Sequence, residues 1–172
     1  FDAVTVTDIA AQAGISRRTF FRYFHVKDDV VFEWMNEQGE FSRPVLKSCL
    51  ATKNPLQAMC HTYTELARHQ ELRWQDVGFI TRLIFGVPLL SGRFHGEHAK
   101  WESEFVRIIA DRKPSSDEEL FLIQVQVAIA TAAYVMAIKT WAAGDIAKPL
   151  HPIVEAVFDA LEKGVSQMRN RK

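Results

Sequence analysis

Residues 7–27 read TDIAAQAGISRRTFFRYFHVK. Within this stretch Ala10, Gly14 and Phe20 keep an Ala-x3-Gly-x5-apolar spacing. Each position has a mechanical reason. Ala10 is small enough for two helices to cross closely. Gly14 suits a turn with positive φ that a Cβ would resist. Ile9, Ala13, Ile15, Phe20 and Phe24 are the expected miniature core. Thr7 is read as the N-cap of a short helix over 7–13, with Asp8 in its first turn, where the helix dipole favours a carboxylate. Ser16 is read as the N-cap of a second helix that runs to about Phe24. This is the pattern of a helix-turn-helix, whose second helix enters the DNA major groove.

The charge agrees with that pattern. Over the whole chain 21 Lys and Arg balance 21 Asp and Glu, which excludes a uniformly basic nucleic-acid coat but not a local patch. Residues 1–27 hold four cations (Arg17, Arg18, Arg22, Lys27) and two anions (Asp2, Asp8), a net of +2 against −2 for the rest. A solvated face on an unrelated helix pair is the plainer alternative. It requires the spacing, the caps and the charge to coincide.

Outward from this segment the reading is all-α, because strand-like alternation never persists. A third helix opens near Lys27, with Asp28 and Asp29 in its first turn, and its end is obscured by Gly39 and Pro44. Asn54-Pro55 restarts the chain. Helical stripes follow through Tyr63 and Leu83, then from Leu89 to about Arg112, broken at Gly86 to Pro88. Ser116-Asp117-Glu118-Glu119 reads as a capping box that opens a helix to about Ala143. A last helix starts near Pro149 or Pro152. The 172 residues suffice for a cored domain, divided here into a DNA-reading module with its connecting helix over 1–43 and a helical domain over 44–172. Cys49 and Cys60 are too few for a disulfide scaffold and read as buried thiols of a reducing, cytoplasmic protein. The longest apolar-rich stretch, Val125 to Ile138, is interrupted by Gln126, Thr131 and Tyr134, so no membrane partner is expected.

With Ile9-Ala10, Ala13-Gly14, Ser16, Phe20-Phe21, Tyr23-Phe24 and Lys27-Asp28 in place, residues 6–31 resemble the DNA-binding segment of TetR-family (tetracycline-repressor-like) transcriptional regulators. The motif match covers about 25 residues; beyond it the resemblance is one of helix order. It implies phosphate contacts at Thr7 and Lys27 and a base-reading surface at Ser16, Arg17, Arg18 and Thr19. Arg22 and Tyr23 match backbone-contacting positions, which set register. Which Arg reads a base stays open. Phe21 departs from the Tyr found in many members and loses its hydroxyl. The family also has a helix ahead of this motif. Only six residues precede Thr7, so a leading helix is expected to be missing from this chain.

The resemblance further implies a homodimeric, ligand-responsive regulator, most simply a repressor on a palindromic operator of double-stranded DNA. The helices around 120–141 and 153–165 are apolar on more than one face. Ala128, Ala132, Ile153, Val157 and Leu161 are the candidates for a two-fold four-helix interface. Tyr63, Phe79, Leu83, Trp101, Phe105, Thr131 and Tyr134 are the candidates for lining a small apolar or aromatic ligand, with simple core as the plainer alternative. Thr131 and Tyr134 stand out because polar tips on an apolar helix need partners. His95, His98 and Glu102 share a spacing that a metal could use, but a solvated polar face explains them better. No enzyme signature is present, and no metal or cofactor is expected. The alternative function is a helical small-molecule-binding protein whose DNA module is non-functional.

Overall fold

The computed structural model describes residues 1, 3–70 and 74–169. Among them stand eight helices and no strand: α1 (Val6–Gln12), α2 (Arg17–Tyr23), α3 (Lys27–Cys49), α4 (Pro55–Gln70), α5 (Trp74–Gly86), α6 (Pro88–Ala110), α7 (Asp117–Ala143) and α8 (His151–Arg169). The all-α expectation holds.

Local chemistry explains most of the boundaries. Ser16 caps α2, its hydroxyl accepting from the Thr19 N–H at 3.0 Å. Asn54 caps α4, its Oδ1 accepting from the Gln57 N–H at 2.9 Å. Pro88 occupies the first turn of α6, where its missing N–H costs nothing.

Two boundaries correct the sequence reading, and a third that it leaves open is resolved. The N-cap of α1 is Thr5, not Thr7: its hydroxyl accepts from the Asp8 N–H at 3.2 Å, and Asp8 Oδ2 accepts from the Thr5 N–H at 2.8 Å. Thr7 lies one residue inside the helix. At α7 the Ser116 cap forms, but Glu119 reaches back to the Ser115 N–H at 2.6 Å rather than to Ser116. The third helix passes through both Gly39 and Pro44 without a break. The boundary drawn at 43/44 therefore falls inside α3, which is continuous from one half to the other.

The core joins α3 to α8. Leu46, Met59, Tyr63, Leu66, Leu90, Phe105, Val127, Tyr134, Trp141 and Val154 are buried in one apolar cluster. α7 packs against α4, α5, α6 and α8. Its most apolar stretch has a mean hydropathy of 1.9, so by length and composition alone α7 could cross a membrane. A core helix has the same composition, and Ile123, Val127, Tyr134 and Ile138 face inward here. Gly39 lets α3 approach α6: a Cβ there would stand 3.1 Å from Trp101 Nε1.

Candidate nucleic-acid interface

α1 and α2 are joined by a turn that the sequence dictates. Gly14 has φ +66°, and an added Cβ would meet nothing within 4 Å, so the glycine is required by conformation and not by crowding. The Ile15 N–H returns to Ala10 O at 2.9 Å and the Gly14 N–H to Ala11 O at 3.1 Å, a Schellman closure of α1. Ala10 and Phe20 are buried between the two helices. Phe24 packs on Phe20 with ring centroids 5.3 Å apart. Ala13 and Ile15, expected in this small core, are exposed instead.

Phe20 facing inward sets the rest of α2. At 100° per residue Arg18 and Arg22 point most nearly away from the core. Arg22 folds over Tyr23, with its guanidinium 4.8 Å from the ring centroid and Nη2 donating to the Tyr23 hydroxyl at 3.0 Å. Arg17 lies over the exposed Phe21 ring at 6.0 Å. Arg18 has no hydrogen-bond or ion-pair partner among the described residues. The Ser16 and Thr19 hydroxyls are 2.9 Å apart and joined in the cap. Thr7 is exposed in the first turn of α1. Lys27 is half-buried, with Nζ donating to Phe1 O at 3.0 Å and Val4 O at 3.1 Å and lying 4.4 Å from the Phe1 ring centroid. Its ammonium thus clamps the leading residues, a use the sequence does not announce.

Asp29 is more than an acid in the first turn of α3. Oδ2 accepts from the His25 N–H at 2.7 Å and the Val26 N–H at 3.0 Å, closing the turn from α2 to α3. Burial alone would raise its carboxyl. The bonds from Val26, Arg93 and His25 outweigh burial and hold it below the ordinary value.

Of the residues proposed to line a ligand site, Tyr63, Trp101, Phe105, Thr131 and Tyr134 are all buried in the core. Tyr63 stacks on Tyr134 with centroids 4.3 Å apart and lies edge-on to Phe105 at 6.2 Å. The Tyr63 hydroxyl meets Thr131 Oγ1 at 2.8 Å, and the Tyr134 hydroxyl donates to Gln70 Oε1 at 3.4 Å. Tyr63 and Thr131 therefore satisfy each other, and Gln70 serves Tyr134. Burial pushes both phenols up. Leu83 is half-buried, and Phe79 is 69% exposed, which removes it from any interior wall. Surface grooves of about 480, 450 and 330 Å³ open elsewhere, and none is lined by this aromatic cluster.

His98 is buried rather than solvated, its Nδ1 3.2 Å from Phe94 O, whereas His95 is exposed. The two do not converge on a common ligand, and no metal-holding group of side chains is found among the described residues. On α7 Ala128 and Ala132 are exposed, beside exposed Phe121, Leu122, Ile129 and Met136. On α8 Ile153, Val157 and Leu161 are half-buried.

A helix-turn-helix carried on an all-helical domain defines the class of DNA-binding regulators. Residues 1–34 match the family described as "Bacterial regulatory proteins, tetR family", and residues 53–166 match "MftR C-terminal domain". The chain belongs to the TetR family of transcriptional regulators. It is 27% identical over 147 residues to the HTH-type transcriptional regulator TcmR of Streptomyces glaucescens, covering 82% of this chain and 65% of that protein. It is 26% identical over 136 residues to the HTH-type transcriptional regulator NfxB of Pseudomonas aeruginosa, covering 76% of this chain and 67% of that protein. The match thus spans about two thirds of the length of each relative.

Proposed function

We propose that the protein is a homodimeric, ligand-responsive repressor that reads a palindromic operator with α2. The observation that carries this reading is Arg18. It projects from the outer face of a helix held by the Ser16 cap and the buried Phe20, and no described group competes for its guanidinium. An Arg so placed suits the O6 and N7 acceptors of guanine. Arg17, Arg22, Tyr23, Ser16 and Thr19 flank it as further groove or backbone contacts, and exposed Thr7 in the first turn of α1 stands toward a phosphate, whereas the Lys27 ammonium is held by Phe1 and Val4 and would have to leave them to reach one. The apolar outer face of α7, from Phe121 past Ala128 and Ala132 to Met136, with Ile153, Val157 and Leu161 of α8, supports pairing with a second copy.

Two reading heads on one dimer would stand about 34–36 Å apart, one turn of DNA, or a multiple of that. A small apolar or aromatic molecule wedged among Tyr63, Leu83, Trp101, Phe105, Thr131 and Tyr134 would have to displace their present packing. It would thereby move α4 and α6 against α3 and change the head spacing. A coupling of about 1–3 kcal/mol is the usual scale for such a shift. A regulator of this kind works where bacterial DNA is, in the cytoplasm. The test is selection from a pool of random duplexes by the purified chain. Enrichment of a two-fold symmetric sequence supports the reading, and recovery of unselected sequences rejects it.

A further inference from the structure

The carboxylate of Asp29 serves two parts of the molecule at once. Oδ2 holds the His25 and Val26 N–H groups at 2.7 and 3.0 Å. Oδ1 accepts from Arg93 Nη2 at 2.8 Å, and Arg93 lies in α6, 64 positions along the chain. The two side chains are 21% and 34% exposed, so the pair is partly shielded from solvent. The Arg93 guanidinium also lies 4.5 Å from the ring centroid of Phe32, one turn further along α3, and Phe32 is buried. Arg93 is thus held from two sides, and its position reports where α6 stands against the start of α3.

Only residues 24–26 separate α2 from α3. The direction in which α2 leaves α3 is set by the backbone of those residues, and two of their N–H groups are fixed by Asp29. The rotamer of Asp29 is fixed in turn by Arg93, because a charge-assisted bond on Oδ1 leaves Oδ2 facing the turn. α6 therefore bears on α2 through one carboxylate.

We infer that Arg93 is a positioning residue for DNA recognition: from the second half of the protein it sets the angle of α2 through Asp29 and touches no DNA itself. The inference rests on the reading of α2 as the DNA-contacting helix. It also gives that reading a route by which a displacement of α6 would be felt at the groove.

The experiment compares the chain with its Arg93→Ala, Arg93→Lys and Asp29→Asn variants and with the Arg93→Ala/Asp29→Asn double variant. Affinity is measured on a duplex selected by the unaltered chain and on a scrambled duplex, over a range of salt. Hydrogen exchange at the His25 and Val26 amides is followed in parallel. Arg93→Ala is expected to lose about tenfold on the selected duplex and nothing on the scrambled one, with the double variant no worse than the weaker single one. Its salt slope is expected to stay unchanged, whereas loss of a phosphate contact lowers the slope by about one. Exchange at the two amides is expected to quicken. Arg93→Lys, which keeps the charge, is expected to recover part of the affinity, and it carries the test should the alanine variant fold poorly.

A reduced salt slope, an equal loss on both duplexes, or unaltered affinity and exchange in both Arg93 variants would overturn the inference while leaving the reading of α2 intact. Failure of the unaltered chain to select any sequence would overturn both.

Discussion

Gly14 and Asp29 show how much the geometry of a module this small depends on single residues, and Arg18 is the residue on which its proposed use depends. Arg18→Ala should cost roughly 1–3 kcal/mol on the selected duplex and relax its sequence preference. Titration of both duplexes checks this, and an equal loss on random DNA rejects base reading. Gly14→Ala places a Cβ on a φ of +66° with no steric contact in reach, so its cost is conformational alone, about 1 kcal/mol. Chemical denaturation measures it. Gly14→Asn should recover part of the loss, because Asn tolerates that region better than Ala. The residues of this site divide by how they could be read. Ala10, Gly14, Ser16 and Phe20 announce themselves because local sterics demand those residue types at that spacing. Asp29 announces only that it starts a helix. Its bond to Arg93 spans 64 positions, and no local pattern carries such a pairing.

At the scale of elements, α3 and α6 form the joint between the two halves. Gly39 lies against Trp101, so Gly39→Val should push the indole off α3 and destabilise the fold by about 1–3 kcal/mol, seen as a lower denaturation midpoint. His98 lies on the same stretch of α6. Burial, the largest influence, lowers its imidazole from 6.5 to about 4. Above 6.5 folded and unfolded chains both carry it neutral, so it contributes no pH dependence. As the pH falls from 6.5 toward 4 the unfolded chain takes the proton first, and stability drops by something on the order of 3 kcal/mol. His98→Gln should flatten that part of the stability curve; an unchanged curve would mean that His98 titrates while folded. Helix types and most helix ends were legible because caps and apolar stripes are local. Thr7 was mistaken for the α1 cap because Thr5 and Thr7 are both acceptable caps, and only the Thr5–Asp8 reciprocity separates them. The burial of His98 was not legible, because its exposed neighbour His95 has the same polarity.

For the whole molecule the decisive surface is the apolar outer face of α7. Exposed Phe121, Leu122, Ile129 and Met136 are costly in water, and a second copy would cover them. Ala132→Glu and Met136→Glu should shift the sedimenting species toward monomer and weaken operator binding while leaving the helical circular dichroism unchanged. A dimer that survives both would place the interface elsewhere. The aromatic cluster teaches the reverse lesson. The sequence marks Thr131 and Tyr134 as polar groups in need of partners, and three-dimensional packing supplies Tyr63 and Gln70 from within. Composition could not say that Phe79 faces outward, because a helix with apolar residues on several sides gives no unique phase. The central claim is that α2 meets DNA, and mapping backbone amide shifts as a selected duplex is added tests it most directly. Perturbations concentrated at residues 5–8 and 16–27, with α4, α5 and α7 unmoved, are the predicted result. Shifts centred on the helical domain, with Arg17 to Tyr23 silent, would contradict it.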